Sequence, residues 1–145
     1  MDEWLYELDE EDNVARSRAE LDQVLGRAEA MPSGRLWVGV DGGPRPWWHR
    51  LVGLQPRFVE ALLSVEWAAD YASLIFHDEN WSEYRAMDEA LVVQPDEQVR
   101  ARIAHGEARP HPVEECMHRE RAFKAIRELI DTGARPEWLS YRVVK

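Results

Sequence analysis

The stretch from Glu120 to Tyr141, ERAFKAIRELIDTGARPEWLSY, constrains the fold more than any other part of this chain. Ala122, Phe123, Ile126, Leu129 and Ile130 recur at helical spacing, while Arg121, Lys124, Arg127 and Glu128 fall mainly on the opposite side. A helix beginning near Arg119 is therefore amphipathic and has to bury one stripe against the rest of the molecule. Gly133 suits a left-handed helix cap, and Pro136 stops the helix from resuming. Trp138 to Val144 then alternates as a closing strand.

The first helix is announced in the same way. Ser17-Arg-Ala-Glu20 is a capping-box pattern, in which serine and glutamate satisfy orphan backbone donors. Leu21, Val24, Leu25 and Ala28 follow as one apolar stripe, and Pro32-Ser-Gly34 ends the helix. Before it, Trp4-Leu5-Tyr6 reads as an edge strand, with the acid run through Asp12 as a solvated turn. Leu36, Val38 and Val40 alternate with Trp37 and Gly39, which predicts a strand. Asp41-Gly-Gly-Pro44 then reads as a turn, and Trp47 to Val52 as the returning strand.

Phe58 to Trp67 fits two templates. Phe58, Ala61, Leu62 and Val65 match a helix, whereas Ala61, Leu63, Val65 and Trp67 match a strand. A strand over Leu62 to Trp67 is favoured, because Tyr71 to His77 is a second strand a hairpin's distance away. Asn80-Trp81 marks a turn before a strand from Glu83 to Asp88. Pro95 to Pro112 reads as an excursion loop with a helical turn around Val99 to Ile103, and long loops in compact domains are often functional. Val113 to Met117 is expected as a short strand. These elements predict one α+β domain over residues 1–145, a mostly antiparallel sheet packed by an N-terminal and a C-terminal helix. No regular βαβ alternation demands a parallel sheet.

Composition narrows the partners. With 45% apolar and 32% charged residues over 145 positions, the chain is globular rather than disordered. No apolar run approaches the ~20 residues that span a bilayer, so no membrane is expected. The acidic N-terminus is the opposite of a signal or transit peptide, which predicts a cytoplasmic protein. The single cysteine, Cys116, fits a reducing compartment. A formal net charge of -10 repels phosphate backbones, so direct nucleic-acid binding is not expected. It suits a basic protein partner, and it also keeps a protein soluble. Seven tryptophans are many for this length, and some are expected at a binding surface.

Signals for chemistry are weak. His105, His111, Cys116 and His118 gather loosely, but one cysteine with irregular gaps is not a zinc set; neither metal nor cofactor is expected. Cys116 and His118, two apart on a strand, would share a face, yet no oxyanion loop or orienting group marks a nucleophilic pair. His77-Asp-Glu79 sets an imidazole beside two carboxylates, and it reads equally as the polar end of a strand. Val38-Gly-Val-Asp-Gly-Gly43 lacks the spacing of a phosphate loop. By contrast, Asp78, Glu79, Trp81, Glu83, Tyr84, Asp88 and Glu89 combine negative charge with aromatic anchors. That mixture suits a protein interface, and it also describes a strand edge guarded by charges.

The closing helix Glu120–Asp131, the turn Thr132-Gly-Ala-Arg-Pro136 and the strand start Glu137-Trp-Leu-Ser-Tyr141 resemble the first of the numbered immunity-protein families of bacterial polymorphic toxin systems. The early helix with Leu21 and Leu25 is similar to that family's opening helix. The resemblance covers a small part of the chain and transfers no catalytic residue. It implies a non-enzymatic protein that binds a toxin domain encoded beside it, frequently a nucleic-acid deaminase or nuclease, and occludes its active site. Such toxins need basic substrate grooves, to which an acidic, aromatic surface is complementary. The expected toxin-binding residues are Asp78, Glu79, Trp81, Glu83, Tyr84, Asp88 and Glu89, with Trp47 and Trp48 beside them. The competing reading is a small hydrolase-like enzyme using His77 with nearby carboxylates, or Cys116 with His118. A constitutive subunit of a larger complex is a third.

Overall fold

A computed structural model describes residues 3–44, 57–78, 80, 82–105 and 110–145. In chain order they form β1 (Trp4–Leu8), β2 (Glu11–Ala15), α1 (Arg18–Ala30), β3 (Ser33–Pro44), β4 (Arg57–Ala68), β5 (Tyr71–His77) and β6 (Glu83–Met87). There follow α2 (Glu97–Ile103), a 3-10 turn (Val113–Glu115), β7 (Met117–His118), α3 (Arg119–Thr132) and β8 (Ser140–Val144). The strands make one 8-stranded sheet in the order β2-β1-β3-β4-β5-β6-β8, with β7 pairing β5 beside β6. Every pairing is antiparallel, so the expected α+β class holds.

Alternation places the apolar residues of successive strands in rows across one face. Tyr6 pairs Val38, Val38 pairs Leu63, Leu63 pairs Phe76, Phe76 pairs Tyr84, and Tyr84 pairs Val143. A parallel row runs Leu8, Leu36, Val65 and Leu74. Leu21, Val24, Leu25 and Ala28 of α1, with Ala122, Phe123, Ala125 and Ile126 of α3, belong to the same buried core. Each large side chain removed from water there contributes about 1.5–3 kcal/mol. The helix ends are as the sequence predicts. Ser17 caps α1 by accepting from the Glu20 N–H at 3.1 Å, and the Glu20 carboxylate reaches back to the Arg16 N–H. Gly133 stops α3 in the left-handed region at φ 75°.

The opposite face is covered locally by α2, which packs Ile103 with Ala68 and Cys116, flanked by Tyr71 and Val99. The 3-10 turn lies on this side as well, since its Glu115 meets Arg85 and Arg142 from the outward positions of β6 and β8.

Four local expectations are corrected. The segment at Trp4 is internal, between β2 and β3, and the acid run is itself the edge strand β2. An edge tolerates this because its charges stay hydrated and discourage further pairing. The hairpin turns on Asp9 and Glu10 alone, both at positive φ, the geometry of a tight primed turn. Asp41 to Pro44 is not a turn but the end of β3, paired with Val59, Phe58 and Arg57 of β4. The glycines there are absorbed by shifts in register rather than by reversal of the chain. Val113 to Glu115 is a 3-10 turn, and only Met117–His118 is strand. The strand expected at Trp47 to Val52 lies outside the described residues.

Gly34 is a close approach between backbone and core. A Cβ there would lie 2.7 Å from Cζ2 of Trp67, a ring that is wholly buried. Gly34→Ala is therefore expected to cost about 1–3 kcal/mol by overpacking. Urea unfolding checks this, and an unchanged midpoint would refute it.

Candidate protein-binding surface

The acidic-aromatic stretch begins at the β5–β6 turn. Asp78 accepts from the backbone N–H groups of Asn80 at 2.9 Å and Ser82 at 3.0 Å, and from the Tyr84 hydroxyl at 3.1 Å. Partial desolvation pushes its carboxyl up, but these donors and the nearby Arg135 outweigh it and hold the pKa below the usual value. Asp78 thus shapes the turn and stays charged. Tyr84 ends an inner row of the sheet beside Val143, which is 47% exposed. The Arg135 guanidinium lies 3.7 Å from the centre of the Tyr84 ring, and Tyr141 meets that ring edge-on at 6.4 Å. Burial pushes the Tyr141 phenol up to about 12, and its hydroxyl donates to the Pro136 carbonyl at 2.7 Å. The Arg-Pro corner is therefore a clasp over this end of the sheet. Glu83 projects on the other face, paired with Arg85 at 3.0 Å.

The stretch has a second end. Asp88 is almost fully buried, forked by Arg121 of α3 and accepting from the Ala90 N–H at 3.0 Å. Desolvation raises its pKa, yet the Arg121 and Ala90 hydrogen bonds, with Arg121 and His118 charge, bring the net value down. The same bond raises the pKa of Arg121, whose guanidinium also sits 4.6 Å from the Trp138 ring centre. Glu89 beside it is exposed. Five residues of extended β6 put about 16 Å between the two ends. Asp78, Glu83 and Tyr84 thus cluster at one, and Asp88 and Glu89 at the other. Glu79, Trp81, Trp47 and Trp48 lie outside the described residues.

Of the described tryptophans, Trp4 and Trp67 are buried in the core, and Trp37 and Trp138 are partly buried. Sequence reasoning missed the basic partners of the acids. Arg135 lies 51 positions from Tyr84 and Arg121 33 from Asp88, and only topology brings them together. The one clue is that the Arg-Pro corner precedes a strand that must return to the sheet.

The catalytic alternatives gain no geometry. Burial pulls the His77 pKa down, against the raising influence of Glu83 and Asp78. The Cys116 thiol is 1% exposed and points to the Pro112 carbonyl at 3.5 Å. Desolvation raises it to about 11. His118 stacks on Tyr71 instead, with ring centres 5.6 Å apart. Native protein is thus expected to resist iodoacetamide at pH 8 and to react once unfolded; rapid native alkylation would contradict this. Among the described residues, no three His, Cys, Asp or Glu side chains are placed to hold a metal ion. No helix among them is long and apolar enough to cross a membrane.

A twisted antiparallel sheet with paired helices on one face, presenting acids and aromatics at its β6–β8 margin, belongs to the class of α+β proteins whose candidate site is a contact surface. Residues 9–143 match the model of the family described as Immunity protein Imm1, and the chain belongs to that family. Neither curated proteins nor solved structures yield a significant match to it.

Proposed function

We propose that this chain is a cytoplasmic bacterial immunity protein, one domain over residues 1–145, that binds the toxin domain encoded beside it. Binding occludes the active site of that toxin, a deaminase or nuclease acting on nucleic acid, and involves no chemistry by the immunity protein. Family membership supports the immunity role. The observation that carries the mechanism is the β6–β8 margin, where Tyr84 stands beside the exposed Val143 on one face and Glu83 projects on the other, on a chain of net charge -10. Such a surface is complementary to a basic groove built for phosphates. Asp78, Glu79, Trp81, Glu83, Tyr84, Asp88 and Glu89 form the proposed interface, with Trp47 and Trp48 beside it. Asp78 and Asp88 hold its shape, and the more exposed acids provide steering and register.

The test is co-expression with the C-terminal domain of the protein encoded immediately upstream, scoring growth together with a co-purifying complex. Rescue of growth with a complex supports the reading, and an absence of both removes it. Charge reversal across Asp78, Glu79 and Glu83 is expected to abolish protection. Retained protection by that variant would sink the site assignment, and its melting temperature reports separately on the Asp78 turn. His77→Ala and Cys116→Ala are expected to protect as well as the native chain. Loss of protection by either variant, still folded, would favour the enzyme.

A further inference from the structure

Beyond the Asp88 end of β6 lies a cavity of about 300 Å³ that the acidic-aromatic pattern did not anticipate. Its walls include the apolar side chains of Met87, Leu91 and Val113, and it is also lined by Glu89 and Glu114. Both of these glutamates are exposed. The adjoining loop carries Val92 and Val93, 86% and 66% exposed, consecutive β-branched side chains with little intrachain cover.

This loop is held in place from both sides. Asp88 is anchored to α3 through Arg121, and it accepts the Ala90 N–H on its carboxylate and the Leu91 N–H on its carbonyl. The Tyr71 hydroxyl donates to the Val93 carbonyl at 2.9 Å. A tethered loop that presents apolar side chains to water has already met part of the ordering cost of binding.

We propose that this cavity seats a lysine or arginine side chain of the cognate toxin, with Val92 and Val93 forming an apolar rim against its surface. This inference rests on the immunity reading and extends the interface to a second anchor. An apolar wall under a carboxylate mouth matches a long basic side chain, whose methylenes bury while its head meets the acids. Nucleic acid is disfavoured by the charge of the mouth. A second copy of this chain would bring like charges together. A small cation would leave the valine rim without a role.

The experiment measures affinity of the purified full chain for the upstream-encoded C-terminal domain by titration calorimetry. Two double variants are compared with native protein, Glu89→Lys with Glu114→Lys, and Val92→Ser with Val93→Ser. All four side chains are exposed, so melting temperatures should stay unchanged. The charge pair is expected to weaken binding roughly a hundredfold and the valine pair roughly tenfold. A loss below about threefold in either variant overturns the inference while leaving the immunity reading intact. Failure of the native chain to bind that domain overturns both.

Discussion

Alanine at Trp67 is expected to destabilise the protein by about 4 kcal/mol, the range for removing a large aromatic side chain from a packed core. Trp67 is wholly buried and meets Phe123 of α3 edge-on, with ring centres 5.5 Å apart and planes at 76°. The ring covers Gly34, and its Nε1–H donates to the Met31 carbonyl at 3.0 Å. The substitution therefore empties the junction of sheet and helix and removes one of the two donors to the Met31 carbonyl. Against a total stability of about 5–15 kcal/mol, this loss removes from roughly a quarter to most of the margin that keeps the chain folded. Trp67→Phe keeps part of the volume and should lose roughly half as much. Urea unfolding of both variants is the check; equal losses would mean that the hydrogen bond, rather than ring volume, governs the site.

Arg121→Met should cost about 3 kcal/mol near neutral pH, because it strands the Asp88 carboxylate, whose side chain is only 1% exposed. The pH dependence has a defined sign. The Asp88 pKa is lowered in the folded state, so its stabilising contribution is present above the unfolded value of about 3.9. It is lost as pH falls through the lower, folded value. In the variant the bare carboxylate is no longer favoured by Arg121, so protonation relieves part of the defect. The difference between native and variant should accordingly shrink on acidification, as read by chemical unfolding at neutral and acidic pH. A difference that stayed constant would show that Arg121 acts through its packing on Trp138 rather than through charge. The same variant should loosen the Val92–Val93 loop and weaken toxin binding.

The fold was legible wherever periodicity met a chemical stop signal. Ser17 and Glu20 bounded α1, Gly133 and Pro136 bounded α3, and alternation from Tyr71 to His77 gave β5 its observed limits. The choice between helix and strand for Phe58 to Trp67 was settled by pairing, since β4 runs Arg57–Ala68 between β3 and β5. Where local composition misled, the ladder prevailed. Glu11 to Asn13 looks like solvated loop until Leu8, Glu7 and Tyr6 stand opposite it, and Gly43-Pro44 looks like a turn until β4 pairs with it. The candidate surface was only half legible. Acids and aromatics close in sequence suggested one patch, but β6 carries them to two ends, and the arginines that engage them arrive from α3 and its exit turn.

The Met31 carbonyl, just past the end of α1, accepts from Trp67 of β4 and also from the Arg119 guanidinium at 2.9 Å. One acceptor therefore serves the first helix, the middle of the sheet and the base of the last helix. Displacing the end of α1 leaves both donors without this acceptor, and displacing β4 or α3 takes one of its two donors away. Amide exchange in α1, β4 and α3 should consequently show a single opening free energy and a common response to denaturant. Proteolytic nicking should then yield intact protein or small fragments, without a stable half.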